Sequence, residues 1–249
     1  CEKRLGEAFE HLRFALKVHD DSFGIVPDGA RETELKRDPV DRGPEAHALH
    51  ESAHAYAAYK LGDPTARNLG RISLNPLRHL DPVGFLCMLL CGFGWANPVP
   101  INSRNFRKPR SGMALSALAG PVSNLLLSIV FLLLLRFVGY GWLATLTYPS
   151  ETAFNAAYFL ILFFYYGVSL NVTLAVFNLL PVPPLDGSRI LFILLPPKYA
   201  YKLVRYERYI SLAVMLLLLL GPLSWLINRL TNLIMTGMFT LVGMKGFLI

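Results

Sequence analysis

The 249-residue chain is 53% AVILMFWYC, and its 19 glycines raise the apolar share to about 61%, well above the 45–50% of soluble domains. Residues 1–45 carry eight Lys/Arg and eleven Asp/Glu, net −3, whereas residues 46–249 carry sixteen and six, net +10. The basic excess therefore belongs to the apolar part, in short clusters between long apolar runs, which is a membrane-topology pattern and not the wet basic face of a nucleic-acid binder. Three cysteines build no disulfide framework, and Cys87 and Cys91, four apart in an apolar run, read as small buried hydrophobes.

Residues 1–45 form a polar leader, with an amphipathic stretch from Leu5 to Val18 followed by an Asp/Gly/Pro-rich, charged segment. A start at Cys1 without Met suits a processed or partial chain, and no signal-peptide pattern is visible. The remainder, 46–249, reads as one membrane-embedded domain with a core of about 46–195 and C-terminal spans over about 209–249.

Within it the next element is Ala46–Leu61, rich in Ala and Leu and stopped by Gly62, which predicts a helix. It carries His50-Glu51-Ser52-Ala53-His54. A spacing of four puts His50 and His54 on one face, one turn apart, where they can hold one Zn²⁺. Glu51 is not spaced to be a ligand on that face, but it can reach a water at the metal and take its proton. His47 shares the face and reads as an outer or solvent-facing histidine, because a catalytic zinc takes three protein ligands and keeps one position open.

Arg71-Ile72-Ser73-Leu74-Asn75 alternates like a strand, and Val83–Trp95 is apolar but too short to span. Four runs are long enough to cross a hydrocarbon core: Met113–Val138, Phe154–Leu180, Tyr209–Ile227 and Leu230–Ile249, the last two separated only by Asn228 and Arg229. Arg104, Arg107, Lys108 and Arg110 precede the first run, and Lys198, Lys202, Arg205 and Arg208 follow the second. The loop Gly139–Ala153 has no Lys or Arg, so the two basic loops are expected on the cytoplasmic side. No stretch of about 80 polar residues is available for an inserted globular module.

A third metal ligand must come from elsewhere. After Glu51 the acidic residues are Asp63, Asp81, Glu151, Asp186 and Glu207. Glu151 lies on the opposite side, Glu207 among basic residues, and Asp63 and Asp81 beside prolines in turn contexts. Asp186 follows Pro181-Val182-Pro183-Pro184 at the end of a long apolar run, where broken backbone is tolerated only when it lines a cavity. Its competing role is N-cap of a short helix over 187–195, and His79 is the rival ligand.

These residues carry a resemblance. HESAHAYAAYKLGDPTARNLGRISLNPLRHLDPVG, GWANPVPIN, AGPVSNLLL and FNLLPVPPLDGSRIL, in that order, make the chain resemble the site-2 protease family of intramembrane zinc metalloproteases, in its compact prokaryotic form, over about 150 residues. The resemblance implies an α-helical polytopic membrane protein with a site-2-protease-like core and a small membrane-associated β region. It implies one Zn²⁺ held by His50, His54 and Asp186, with Glu51 as general base, and transmembrane proteins as substrates. It further implies that Asn178, and also Asn124, contact the substrate backbone or oxyanion, as amides aimed at a developing oxyanion in a dry site would. A lipid bilayer, a regulatory membrane partner and a prokaryotic cell membrane complete the expectation, with no nucleic acid. Members usually have an apolar span leading into the first zinc histidine, whereas Arg42-Gly43-Pro44-Glu45 precedes it here. The rival readings are a catalytically silent membrane scaffold of the same fold, and a histidine-box di-iron oxidase, which needs more than the six histidines present.

Overall fold

A computed structural model describes residues 44–75, 98–142 and 150–244. The leader up to residue 43, the short apolar run Val83–Trp95, and His79, Asp81, Cys87 and Cys91 lie outside the described residues, as does the side chain of His47. The chain divides into two compact units, one comprising Pro39–Ser128 and Leu170–Thr231, the other including Ile129–Ser169 and Asn232–Ile249.

The first unit opens with α1, Pro44–Lys60. Proline suits a first helical turn because its missing N–H would have no partner there. The helix stops where the sequence predicts: Gly62 adopts φ 111°, Gly62 N–H donates to Tyr59 O at 3.1 Å and Asp63 N–H to Ala58 O at 2.9 Å. This paired closure needs a residue that tolerates positive φ. Ala55 is fully buried, and with Ala66 of α2 (Thr65–Asn68) and Val99 it forms a small cluster onto which Ile101 packs. Alanines at the contact let the backbones approach closely.

Asp63 ties this corner together. Fully buried, its Oδ1 accepts from the Thr65 N–H at 3.1 Å and from Asn105 Nδ2 at 2.8 Å, while its Oδ2 accepts from the Asn102 N–H at 2.7 Å. Burial opposes its ionisation, but the donors from Thr65, Asn105 and Asn102 outweigh it and hold the carboxyl below its ordinary range.

Among the described residues two helices are long and apolar enough to cross a membrane: Pro109–Gly139 and Glu151–Leu179. The first comprises α3, Pro109–Leu134, and the start of a wider, π-type turn over Leu135–Trp142. The second is α4, Glu151–Leu179. The first contains the expected run Met113–Val138, and the second covers Phe154–Leu180 as far as Leu179. Leu115, Val122, Leu126, Ile129, Leu133 and Phe137 are exposed while Ser116, Asn124 and Ser128 are buried, an apolar-outside arrangement suited to lipid. The serines donate back to helix carbonyls, Ser116 to Met113 O at 2.9 Å and Ser128 to Leu125 O at 2.7 Å, so no hydroxyl is wasted in an apolar setting.

Beyond α4 come α5 (Asp186–Leu194), α6 (Pro197–Arg205), α7 (Glu207–Leu219) and α8 (Pro222–Leu241). The C-terminal spans differ from expectation. The break lies not at Asn228-Arg229, which are inside α8, but at Gly221, and α7 and α8 meet there at 75° as a single broken span or a re-entrant pair. Gly221 takes φ 95° and Pro222 follows it, so backbone geometry, not the polar pair, terminates the helix.

In the second unit the aromatic rings of Phe131 and Phe163 meet edge-on at 5.8 Å, and Arg136 Nε donates to Val242 O at 3.3 Å. A backbone carbonyl is an apt partner for a cation on an apolar helix.

The helical expectation is borne out, and among the described residues there is no strand. Arg71–Asn75 is not assigned as strand, and Ser73 O accepts from the Ser52 hydroxyl at 2.5 Å.

Candidate metal centre

The centre lies within the first unit and draws on α1, α3 and α5. His50 and His54 leave one face of α1, 3% and 4% exposed, with rings edge-on at 4.6 Å. Asp186 is the first residue of α5; the N-cap is Leu185, and no side chain caps this helix. The carboxylate is therefore free to turn toward the histidines, and the competing capping role is not the one adopted. Gly187 makes this possible, because a Cβ there would run into the carbonyl oxygens of Leu179 and Leu180.

Three ligand-type atoms converge. Asp186 Oδ2 is 3.2 Å from His50 Nε2 and 3.1 Å from His54 Nε2, and the two Nε2 atoms are 3.0 Å apart. Ligands bound tetrahedrally at about 2.0–2.1 Å stand roughly 3.4 Å from one another, so the three atoms are within a few tenths of an ångström of the edges of a metal tetrahedron. His54 Nδ1 donates to Ser116 O at 2.7 Å. A carbonyl only accepts, so the proton sits on Nδ1 and the Nε2 lone pair faces the centre. The donor set fits a divalent metal.

α3 closes the opposite wall with backbone. A Cβ on Gly120 would lie 2.6 Å from His50 Cε1 and closer still to His54 Nε2. Pro121 follows, fully buried. Glu51, next to the ligands, accepts from the Val99 N–H at 3.2 Å. Between Pro98 and Pro100, Val99 supplies the only backbone donor of that tripeptide.

Of the remaining expected residues, Asn124 is fully buried with its amide 3.2 Å from His50 Nδ1, which puts it against a ligand. Asn178 donates Nδ2 to Leu174 O of its own helix at 3.0 Å. Sequence reasoning did not single out Gly120, Ser116 or Val99. Glycine-proline in an apolar run and valine between two prolines were the available signals, and neither names its spatial partner. Asp63, set aside as a turn residue, does sit in a turn, holding α2 and the 102–105 segment.

Comparison with known proteins decides the family. The model of peptidase family M50 matches residues 47–221, which include every residue of the centre. The chain belongs to peptidase family M50. The M50 match runs from His47 within α1 through α7 and stops at Gly221, where the last span breaks. YwhC of Bacillus subtilis (strain 168) is 47% identical over 177 residues, 71% of this chain and 77% of that protein. Rip2 of Mycolicibacterium smegmatis is 30% identical over 181 residues, 71% of this chain and 64% of its own length. MJ0392 of Methanocaldococcus jannaschii is 28% identical over 183 residues, 71% of this chain and 40% of its own. All three carry zinc-metalloprotease names. No solved structure matches the chain. As an M50 member whose relatives carry zinc-metalloprotease names, the protein is a protease of a membrane-protease family; the silent scaffold and the di-iron oxidase are set aside.

Proposed function

We propose that the chain is a zinc-dependent intramembrane endopeptidase, cutting peptide bonds within or beside the transmembrane segment of another membrane protein, in a prokaryotic cell membrane. The observation that carries the proposal is Gly120: the backbone that touches both histidine rings belongs to a membrane-length helix. Gly120 lies seven residues after Met113, where the apolar run of this helix begins, about 10 Å along the helix at 1.5 Å per residue. That depth is inside a hydrocarbon core of about 30 Å and nearer the end that carries Arg107, Lys108 and Arg110.

His50, His54 and Asp186 would hold the metal, and zinc is supported by the names of the relatives. Zinc held there supplies a Lewis acid and acidifies water toward neutrality. Glu51, steadied by the Val99 N–H, takes the proton from the attacking water and returns it to the leaving amine. Asn178 lies three residues before the Pro181–Pro184 turn and eight before Asp186. One of its amide hydrogens is spent on Leu174 O, and the other is available for a substrate carbonyl or oxyanion.

Residues 98–102 and 71–75 border α1 and can meet an unwound substrate through backbone groups. Positive-inside reasoning puts the basic loops in the cytoplasm, so scission is expected in the cytoplasmic third of the substrate span, favoured where Gly, Pro or Asn eases local unwinding. The test is cleavage of a single-span substrate in detergent and in vesicles, by wild type and Glu51→Gln, with product termini mapped by mass spectrometry. Wild-type cuts inside the span, absent with Glu51→Gln, are expected. Cuts confined to an extracytoplasmic loop, or full activity in Glu51→Gln, would overturn the proposal.

A further inference from the structure

The buried amide of Asn124 presents an accounting problem. As placed, Nδ2 faces His50 Nδ1 at 3.2 Å, while Oδ1, in a residue with no exposed surface, has no hydrogen-bond partner among the described residues. An orphaned amide oxygen costs on the order of 1–3 kcal/mol. The histidine is equally constrained. His50 Nε2 points at His54 Nε2 and Asp186 Oδ2, so its lone pair belongs to the metal and the proton of the neutral ring must sit on Nδ1. An Nδ1–H facing an amide NH₂ is a donor against a donor. The oxygen and nitrogen of an asparagine amide are distinguished only by their hydrogen bonds, and exchanging the two removes the donor-donor clash: Oδ1 accepts from His50 Nδ1–H, so the buried acceptor gains the donor it lacked.

We infer that Asn124 is a positioning residue for the metal site, its Oδ1 accepting from Nδ1–H of His50 and holding that ring's tautomer and orientation toward the metal. His54 is held in the same manner by Ser116 O, so α3 supplies the outer acceptor for both histidines, four residues to either side of Gly120. An oxyanion donor at Asn124 would need the amide nitrogen turned to substrate, which is a different role with a different chemical requirement.

The two roles separate by substitution, because aspartate keeps an acceptor at this position and removes the donor. In the full chain in detergent, zinc affinity measured by competition with a chelator is expected to fall about 10- to 100-fold in Asn124→Ala, the range for loss of a ligand's outer partner. Asn124→Asp is expected to bind within about threefold of wild type or tighter, since a carboxylate is a common outer partner of a zinc histidine. Wild-type affinity in Asn124→Ala, or an affinity in Asn124→Asp as weak as in Asn124→Ala with unchanged helix content and elution, would overturn the inference. Should the alanine variant fail to fold, ¹⁵N NMR of histidine-labelled, zinc-loaded wild type reads the tautomer directly. A protonated Nδ1 and metal-bound Nε2 at His50 are expected, and the reverse would overturn it. The inference rests on the zinc reading of the site, but its readout is metal affinity, so failure to cut any membrane substrate would count against the proposed activity and not against Asn124.

Discussion

Gly120→Ala adds one methyl group at the point where α3 meets the metal ligands, and its effect follows from distances. The new Cβ would stand 2.6 Å from His50 Cε1 and nearer to His54 Nε2, against ordinary contact from 3.4 Å upward. Relief requires a displacement of about 1 Å, by a helix whose Pro121 and Asn124 are fully buried or by rings already committed to Ser116 O and Asp186. Metal sites tolerate about ±0.2 Å in ligand distance, and overpacking of this kind costs about 1–3 kcal/mol. If that cost falls on the bound state alone, zinc affinity drops by about 5- to 150-fold, since each 1.4 kcal/mol is tenfold. The assay is zinc content after dialysis against graded chelator, with Gly237→Ala as comparison. Gly237 lies in α8, where a Cβ meets nothing within 4 Å, so that change should leave zinc untouched and raise helix stability by a few tenths to 1 kcal/mol. Wild-type zinc affinity in Gly120→Ala would refute the close packing of α3 on the histidines.

Asp186→Ala and His54→Ala should each lose zinc as well as hydrolysis, measured as metal per chain after gel filtration, because two remaining protein ligands hold the ion poorly; normal occupancy in Asp186→Ala would shift the third ligand to His79. Glu51→Gln should keep about one zinc while losing hydrolysis by 10²-fold or more, which metal analysis and peptide release determine together. Asp63→Asn should destabilise the corner by about 1–3 kcal/mol at neutral pH, since one buried acceptor becomes a donor facing the Asn102 N–H. The folded carboxyl titrates below its unfolded value, so its contribution is present above the unfolded pKa and is lost as pH falls through the folded one. The gap between wild type and Asp63→Asn in thermal unfolding should therefore close on acidification below about pH 4.

Much of the chemistry was local and so could be read along the chain. His50 and His54 share a helix face because four residues make about one turn, Gly62 ends that helix because positive φ suits glycine, and the spans announce themselves by apolar length. Asp186 was reached by excluding other carboxylates, with His79 still open; only folding shows its Oδ2 within 3.2 Å of both Nε2 atoms, 132 and 136 residues away in sequence. The break between α7 and α8 was misplaced because a polar Asn228-Arg229 pair is an averaged signal, whereas a single Gly221 backbone angle sets the bend. Gly120 against the rings, Ser116 O on His54, the Asn124 amide on His50 and the Val99 N–H on Glu51 belong to the tertiary structure alone. They depend on which backbone atoms and buried side chains come within 3.2 Å, and periodicity along one element carries no information about distances between elements.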